Sequence, residues 1–270
     1  MKRSIKMIIS GAFLLVLFSN VSLAQSSQST NPQTADCAEV AVISKRLENA
    51  QNRLSDWPQL NRYRADNAKL AAPGKDEQRV VFMGDSITDW WVRPENGGFF
   101  PGKPYVDRGI SGQTTPQMLV RFRPDVIALK PKVVVILAGT NDIAGNTGPM
   151  PLSAIEDNMI SMLELARAEG IKIVFASVLP VSDYGHDREG KQIFQTKTRP
   201  PAEILQLNAW MKQYASENGI VYLDYFSAMV DGKGQLKAEL SGDGLHPNAK
   251  GYAIMGPLAE QAIAAALNSK

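Results

Sequence analysis

From Val80 onward the chain alternates between short, nearly unbroken apolar runs and longer segments whose apolar residues recur every three or four positions. The first pattern is that of strands buried on both faces, and the second is that of helices laid against them. Together they predict strands at 80–83, 105–110, 133–138, 171–178 and 220–224, and helices at 115–128, 153–169, 201–217 and 248–267. Three helix-to-strand joints carry a residue that stops a helix, at Lys130-Pro131, Glu169-Gly170 and Asn218-Gly219. Strand and helix in alternation predict an α/β fold, a doubly wound three-layer sandwich around a parallel sheet. In such sheets ligands bind beyond the carboxyl ends of the strands.

The pattern before Val80 differs. Val40, Ile43, Leu47 and Leu54 recur at helical spacing, so 38–54 is expected to be a helix that ends at Trp57-Pro58. A charged segment follows and closes at the turn Pro73-Gly74, and the whole arm is expected to pack on the following domain, which spans 38–270 with the arm included. Residues 25–37, rich in Ser, Gln and Thr in their first part, have little to bury and read as a disordered leader. Residues 1–24 read as an export signal: Lys2, Arg3 and Lys6 precede an apolar run from Met7 to Phe18, and Ser22-Leu23-Ala24 offers small residues for cleavage. That run of about a dozen residues is short of the roughly 20 a membrane-spanning helix needs. The expected location is therefore periplasmic or extracellular, with no stable membrane span after cleavage.

Composition narrows the choice of partner. A net charge of +2 over 270 residues, with no run of five basic residues, sets nucleic acid aside. Hydrophobic residues at 44% and charged residues at 21% are ordinary for a globular chain. Cys37 is the only cysteine, so no disulfide can form within the chain.

Candidate chemistry lies at the strand ends. Ser86 follows the first apolar run in Gly84-Asp85-Ser86-Ile87, and Asp243 and His246 stand three residues apart in Asp243-Gly244-Leu245-His246-Pro247. A serine hydroxyl is a poor nucleophile at neutral pH; it needs an imidazole to take its proton and a carboxylate to fix that imidazole's tautomer. Two more segments lie between them, Arg108-Gly109-Ile110-Ser111-Gly112-Gln113-Thr114 and Leu137-Ala138-Gly139-Thr140-Asn141-Asp142. Ser86, Gly112 and Asn141 each follow a strand, so a parallel sheet would gather them at one edge.

In chain order these four blocks, running over roughly Val80 to Leu267, resemble the GDSL esterases, also called SGNH hydrolases. Ile87 stands where the family name has leucine. The resemblance implies a flavodoxin-like five-stranded sheet of order 2-1-3-4-5 and hydrolysis of carboxylic esters through an acyl-enzyme without a cofactor. It implies Ser86 as nucleophile, His246 as general base, Asp243 as its orienter, and Ser86, Gly112 and Asn141 as oxyanion donors.

Blander readings stand beside these. Ser86, Asn141 and Asp142 are residue types that cap helices, and Asp85 and Asp89 are expected to bond to local backbone. His186, in a polar loop, is expected to be exposed. The carboxylates Asp85, Asp89, Asp142 and Asp243 raise a metal-dependent phosphoesterase as a rival, but such sites normally add several histidines and only His246 lies near. The expected substrate is a small-molecule or carbohydrate ester of short acyl length, possible acetyl-carbohydrates included, because no long apolar lid interrupts the sequence. Lysophospholipid or thioester hydrolysis and a non-catalytic carbohydrate-binding module are the alternatives. Trp90, Trp91, Phe99 and Phe100 either line the substrate face or anchor the core, and the long connection 181–200 is expected to border the site.

Overall fold

The computed structural model describes residues 32–269. Five strands, β1 (Val80–Gly84), β2 (Tyr105–Gly109), β3 (Val133–Leu137), β4 (Lys172–Ala176) and β5 (Val221–Leu223), form one sheet in the order β2-β1-β3-β4-β5. Every pairing is parallel. Each strand falls on its apolar run, and the order is the one the resemblance implied. The helices are α1 (Pro32–Ser55), α2 (Arg64–Lys69), α3 (Ser86–Asp89), α4 (Thr115–Asp125), α5 (Thr140–Ile143), α6 (Leu152–Ala168), α7 (Pro201–Glu217), α8 (Tyr225–Met229) and α9 (Ala249–Asn268).

Alternate strand residues face opposite sides of the sheet, which separates two apolar cores. Val81, Met83, Val134 and Ile136 pack with Met118 and Phe122 of α4, Ile155 and Met159 of α6, and Leu207 and Met211 of α7. Val80, Phe82, Val133 and Val135 pack with Tyr225 and Met229 of α8 and Tyr252, Met255 and Ile263 of α9. Trp91, Phe99 and Phe100 join Phe82 in this second layer, Trp91 with only 4% of its surface exposed. These three aromatics are core anchors.

Two boundaries differ from expectation. The helix expected at 115–128 stops at Asp125 and is followed by a 3-10 turn, Ile127–Leu129. Pro124, in its last turn, has no N–H to continue the ladder. Helix α1 begins at Pro32, so 32–37 of the segment read as disordered are helical. Proline suits a first helical position, and Ala35, Ala38 and Glu39 behind it favour helix. The expected signal at 1–24 and the first part of the leader lie outside the described residues.

The described residues divide into two compact units at Gln51 and Asn52. In the first, Val40, Ile43 and Leu47 of α1 are exposed. In the second, residues 56–70 of the arm pack on the sheet domain. The Tyr63 hydroxyl donates to the Gly109 carbonyl at the end of β2, and its ring lies under the guanidinium groups of Arg62 and Arg108, each 4.6 Å from the centroid. Asn67 accepts from Nε of Arg108 at 2.9 Å and donates to Asp125 at 2.8 Å. The carbonyls of Trp57 and Pro58 accept from the side-chain amides of Gln117 and Gln113, at 2.7 and 2.8 Å.

Arg121 holds the strand ends that carry the candidate site. It is fully buried on α4, and its guanidinium donates to the carbonyls of Gly84 (3.0 Å) and Arg108 (2.8 Å), to the side chain of Gln113 and to Asp125 (3.2 Å). Removing the cation would leave a buried carboxylate and two carbonyls short of a donor. Arg121→Met is therefore expected to lower the unfolding free energy by about 3–5 kcal/mol. Urea denaturation measures the loss, and Arg121→Met combined with Asp125→Leu should recover part of it.

Candidate active site

Beyond β1 the chain turns into α3, and the residue that caps this helix is Asp85, not Ser86: its carboxylate accepts from the Ile87 N–H at 2.9 Å. Ser86 occupies the first helical position, almost fully buried. The loop between Ser241 and Asn248 brings its partners from the other end of the sequence. His246 Nε2 lies 2.9 Å from Ser86 Oγ, and His246 Nδ1 lies 2.6 Å from Asp243 Oδ2. With a carboxylate at Nδ1, the neutral imidazole carries its proton there and accepts the serine O–H at Nε2.

Asp243 is partly buried, which opposes its ionisation, but donors to it prevail. Hydrogen bonds from the side chain and backbone of His246 and from the Leu245 N–H hold its carboxyl well below the ordinary carboxylate range. The loop is clipped by a close backbone approach at Gly244. This residue has φ +78°, and a Cβ there would lie 2.2 Å from the Ser182 carbonyl. Ser182 in turn donates its N–H to the Gly244 carbonyl at 2.8 Å. Trp90 covers one face of the imidazole, with ring centroids 3.8 Å apart and planes 25° from parallel. Its other contacts hold it there: Nε1 donates to Ser111 Oγ at 3.1 Å, and the Arg93 guanidinium lies 3.9 Å from the indole centroid.

Two further residues emerge from neighbouring strands. Gly112 follows β2 with φ +80°, in the left-handed region that favours glycine. Asn141 follows β3 inside α5, whose cap position belongs to Gly139, so it does not cap this helix. Its Nδ2 donates to the Gln113 carbonyl at 3.1 Å, which leaves a second amide N–H. Its Oδ1 accepts from Arg199 Nη2 at 3.3 Å. Arg199, itself 8% exposed, also donates to Thr140 Oγ1 (3.1 Å) and to Gln195 Oε1 (3.0 Å). Gln195 Nε2 then donates to the Asp243 carbonyl at 3.1 Å. One chain of hydrogen bonds thus joins Asn141 to the Asp243 loop through the 181–200 connection, which does border the site.

The sequence offers Trp90 only as a substrate-face or core aromatic, not as a partner of His246, and it assigns Gln195 and Arg199 no part of their own. The stacking of Trp90 depends on where His246 is delivered. Gln195 and Arg199 sit in a polar connection without periodicity, where the only signal is the unusual length of the joint.

The remaining candidates take other places. Asp89 accepts from both the N–H and the hydroxyl of Ser111, across to the β2 loop and not to its own turn. Asp142 accepts from the N–H and hydroxyl of Thr115, at the start of α4. His186 is exposed. Among the described residues no group of three or more His, Cys, Asp or Glu side chains is placed to hold a metal ion.

Asp85 provides a titration outside the hydrogen-bonded chain. It is fully buried, and its Oδ2 has no partner among the described residues. Burial raises its pKa to about 6, against the opposing effect of the Ile87 N–H and of His246 nearby. The unfolded carboxyl ionises at about 3.9, so between about pH 4 and 6 the unfolded chain sheds a proton that the folded chain keeps, and stability falls as pH rises. Asp85→Asn keeps an acceptor for Ile87 and abolishes this slope. Relative to that variant, the wild type should lose about 2 kcal/mol between pH 4 and 7, read from urea unfolding across the range.

Comparison with known proteins agrees with this architecture. The GDSL-like lipase/acylhydrolase family matches residues 82–254, more than half of the chain. A GDSL-like lipase from Bacteroides thetaiotaomicron VPI-5482 superposes with a TM-score of 0.70 at 44% identity, covering 77% of this chain and 98% of that one. An acetylxylan esterase from Geobacillus stearothermophilus is 27% identical over 205 residues, 66% of this chain and 90% of the relative. An uncharacterized lipoprotein of Bacillus subtilis, YqeF, is 31% identical over 124 residues; the match takes in 40% of this chain and about half, 51%, of that protein's length. The strand order, the four sequence blocks and these matches agree: the chain belongs to the GDSL-like lipase/acylhydrolase family.

Proposed function

We propose that the protein hydrolyses carboxylic esters of short acyl groups, acetylated carbohydrates among them, through an acyl-enzyme on Ser86. The observation that carries this reading is the unbroken relay from Ser86 Oγ to His246 Nε2 and from His246 Nδ1 to Asp243 Oδ2. Ser86 Oγ attacks the ester carbonyl as its proton passes to His246. The carbonyl oxygen becomes an oxyanion, received by the N–H groups of Ser86 and Gly112 and by the free amide N–H of Asn141. The bond to the alcohol then breaks as His246 returns the proton to the leaving oxygen. Water, deprotonated by His246, attacks the acyl group and restores Ser86. Asp243 keeps its charge throughout and stabilises the imidazolium. No step needs a cofactor.

The acetylxylan esterase among the relatives supports acetyl-carbohydrate as one substrate class. Export supports it too: the basic and apolar pattern of residues 1–24 would deliver the 38–270 domain, with its arm, to the periplasm or the outside, where polymers are met.

The test is hydrolysis of esters of one alcohol with acyl chains of increasing length, paired with a fluorophosphonate label. A phosphonate adduct on Ser86, loss of turnover in Ser86→Ala and a preference for acetyl or butyryl esters are expected. An adduct elsewhere, or turnover by Ser86→Ala, removes Ser86 from the reaction. Rates that rise steadily beyond about eight carbons, each buried CH₂ adding about 0.8 kcal/mol, would move the function to lipid or thioester hydrolysis.

Arg199 enters this reading as a positioning residue, because its bond to Oδ1 turns the Asn141 amide so that Nδ2 faces the developing charge. Arg199→Met should lower kcat at least about ten-fold with little change in KM. In an Asn141→Ala background the same change should cost much less, since its effect on the oxyanion runs through the Asn141 amide. Steady-state kinetics of the four chains measure the coupling, and additive losses would make Arg199 structural.

A further inference from the structure

Beside Gly112 the surface opens into a cleft of about 540 Å³ that none of the relay residues line. Its walls come from separate parts of the chain: Trp57 and Gln59 from the arm, Ser111 and Gly112 from the loop after β2, and Asn146 and Thr147 from the turn after α5. Its size falls within the roughly 300–1,000 Å³ usual for a small-molecule site. An acetyl group would fill little of it.

The arm wall is held in place from both sides. Both carboxylate oxygens of Asp56 accept backbone N–H groups, from Leu60 at 2.7 Å and Asn61 at 3.0 Å, which closes the turn that carries Trp57. The carbonyls of Trp57 and Pro58 are tied to Gln117 and Gln113. Trp57 remains 38% exposed. Opposite it, Asn146 spends one amide proton on the Gly112 carbonyl at 3.0 Å, and the Thr147 hydroxyl meets that of Thr114 at 3.1 Å. Asn146 keeps an oxygen and a second N–H for a ligand, and Gln59 contributes another amide.

An exposed indole among amides and hydroxyls, with the Asp56 carboxylate already bonded to backbone N–H groups and no cation in the lining, selects a particular chemistry. An alkyl chain placed here would strip water from amides and hydroxyls without giving them partners, a cost that offsets burial of its methylenes. A phosphate would find no positive charge. A neutral polyhydroxylated ring satisfies both surfaces: its C–H face covers the indole and its hydroxyls meet the amides.

We propose that this cleft is a subsite for a sugar ring of the alcohol part of the ester, and that Trp57 of the N-terminal arm is its platform. The assignment rests on the proposed reading only in that Gly112 borders both the cleft and the oxyanion.

Binding and turnover test it separately. With a Ser86→Ala chain, acetylated cellobiose should quench indole fluorescence saturably, and adding Trp57→Ala should abolish that binding while circular dichroism shows the fold retained. In the active chain, Trp57→Ala should lower the ratio of kcat/KM for acetylated cellobiose to that for p-nitrophenyl acetate by about ten-fold, through KM, with Trp57→Phe recovering most of it. If the wild type cleaves p-nitrophenyl acetate but neither binds acetylated cellobiose nor loses the ratio with Trp57→Ala, the subsite is overturned and the esterase reading stands. If acetylated cellobiose binds in a Trp57-dependent way and no ester is cleaved, the esterase reading falls and the subsite stands. A Trp57→Ala chain that loses discrimination between acetyl and decanoyl esters would mark the cleft as an acyl pocket and overturn the assignment.

Discussion

Parallel pairing constrains everything at this site, because five strands running one way deliver all their outgoing loops to a single edge. The register fixes the order of delivery. Gly84 of β1 stands beside Gly109 of β2 and Leu137 of β3, and the segments that leave these three residues carry Ser86, Gly112 and Asn141. Arg121 reinforces the same edge from beneath by binding the Gly84 and Arg108 carbonyls together. Only the fourth element arrives from elsewhere, and the loop from Ser241 to Asn248 sets His246 against Ser86.

Two carboxylates near the serine are driven in opposite directions by their surroundings. Asp243 receives donors from His246 and Leu245 and stays ionised. Asp85, the single residue between β1 and α3, is sealed from water with one oxygen unpartnered among the described residues and resists ionisation until about pH 6. The number of donors, more than distance from the serine, separates a carboxylate that orients an imidazole from one that caps a helix.

Much of this was legible in the chain itself. Runs such as Val133–Leu137 admit only a doubly covered strand, and breakers such as Pro131 and Gly170 mark where helices must turn back. The serine, glycine, asparagine and aspartate–histidine blocks name their residues directly, and the structure brings Ser86, Asp243 and His246 together. The helices α3, α5 and α8 have four or five residues, too few to show a period. Cap positions at Asp85 and Gly139 depend on backbone angles that side-chain pattern does not encode. Arg199 and Gln195 escape for another reason: a guanidinium's role is set by which carbonyls and amides surround it, and those come from residues about 50 to 60 positions away.

Ser86 and His246 are 160 residues apart, and the loop that carries His246 is followed by α9, whose Tyr252 hydroxyl donates to the Ile87 carbonyl at 2.8 Å. Ser86 and His246 therefore meet only after every strand of the sheet has been made, and α9 closes over α3. A chain cut before residue 241 would keep Ser86 and all five strands and lack the Asp243–His246 loop that meets it. The reactivity proposed for Ser86 would thus depend on a loop that follows the whole sheet in sequence.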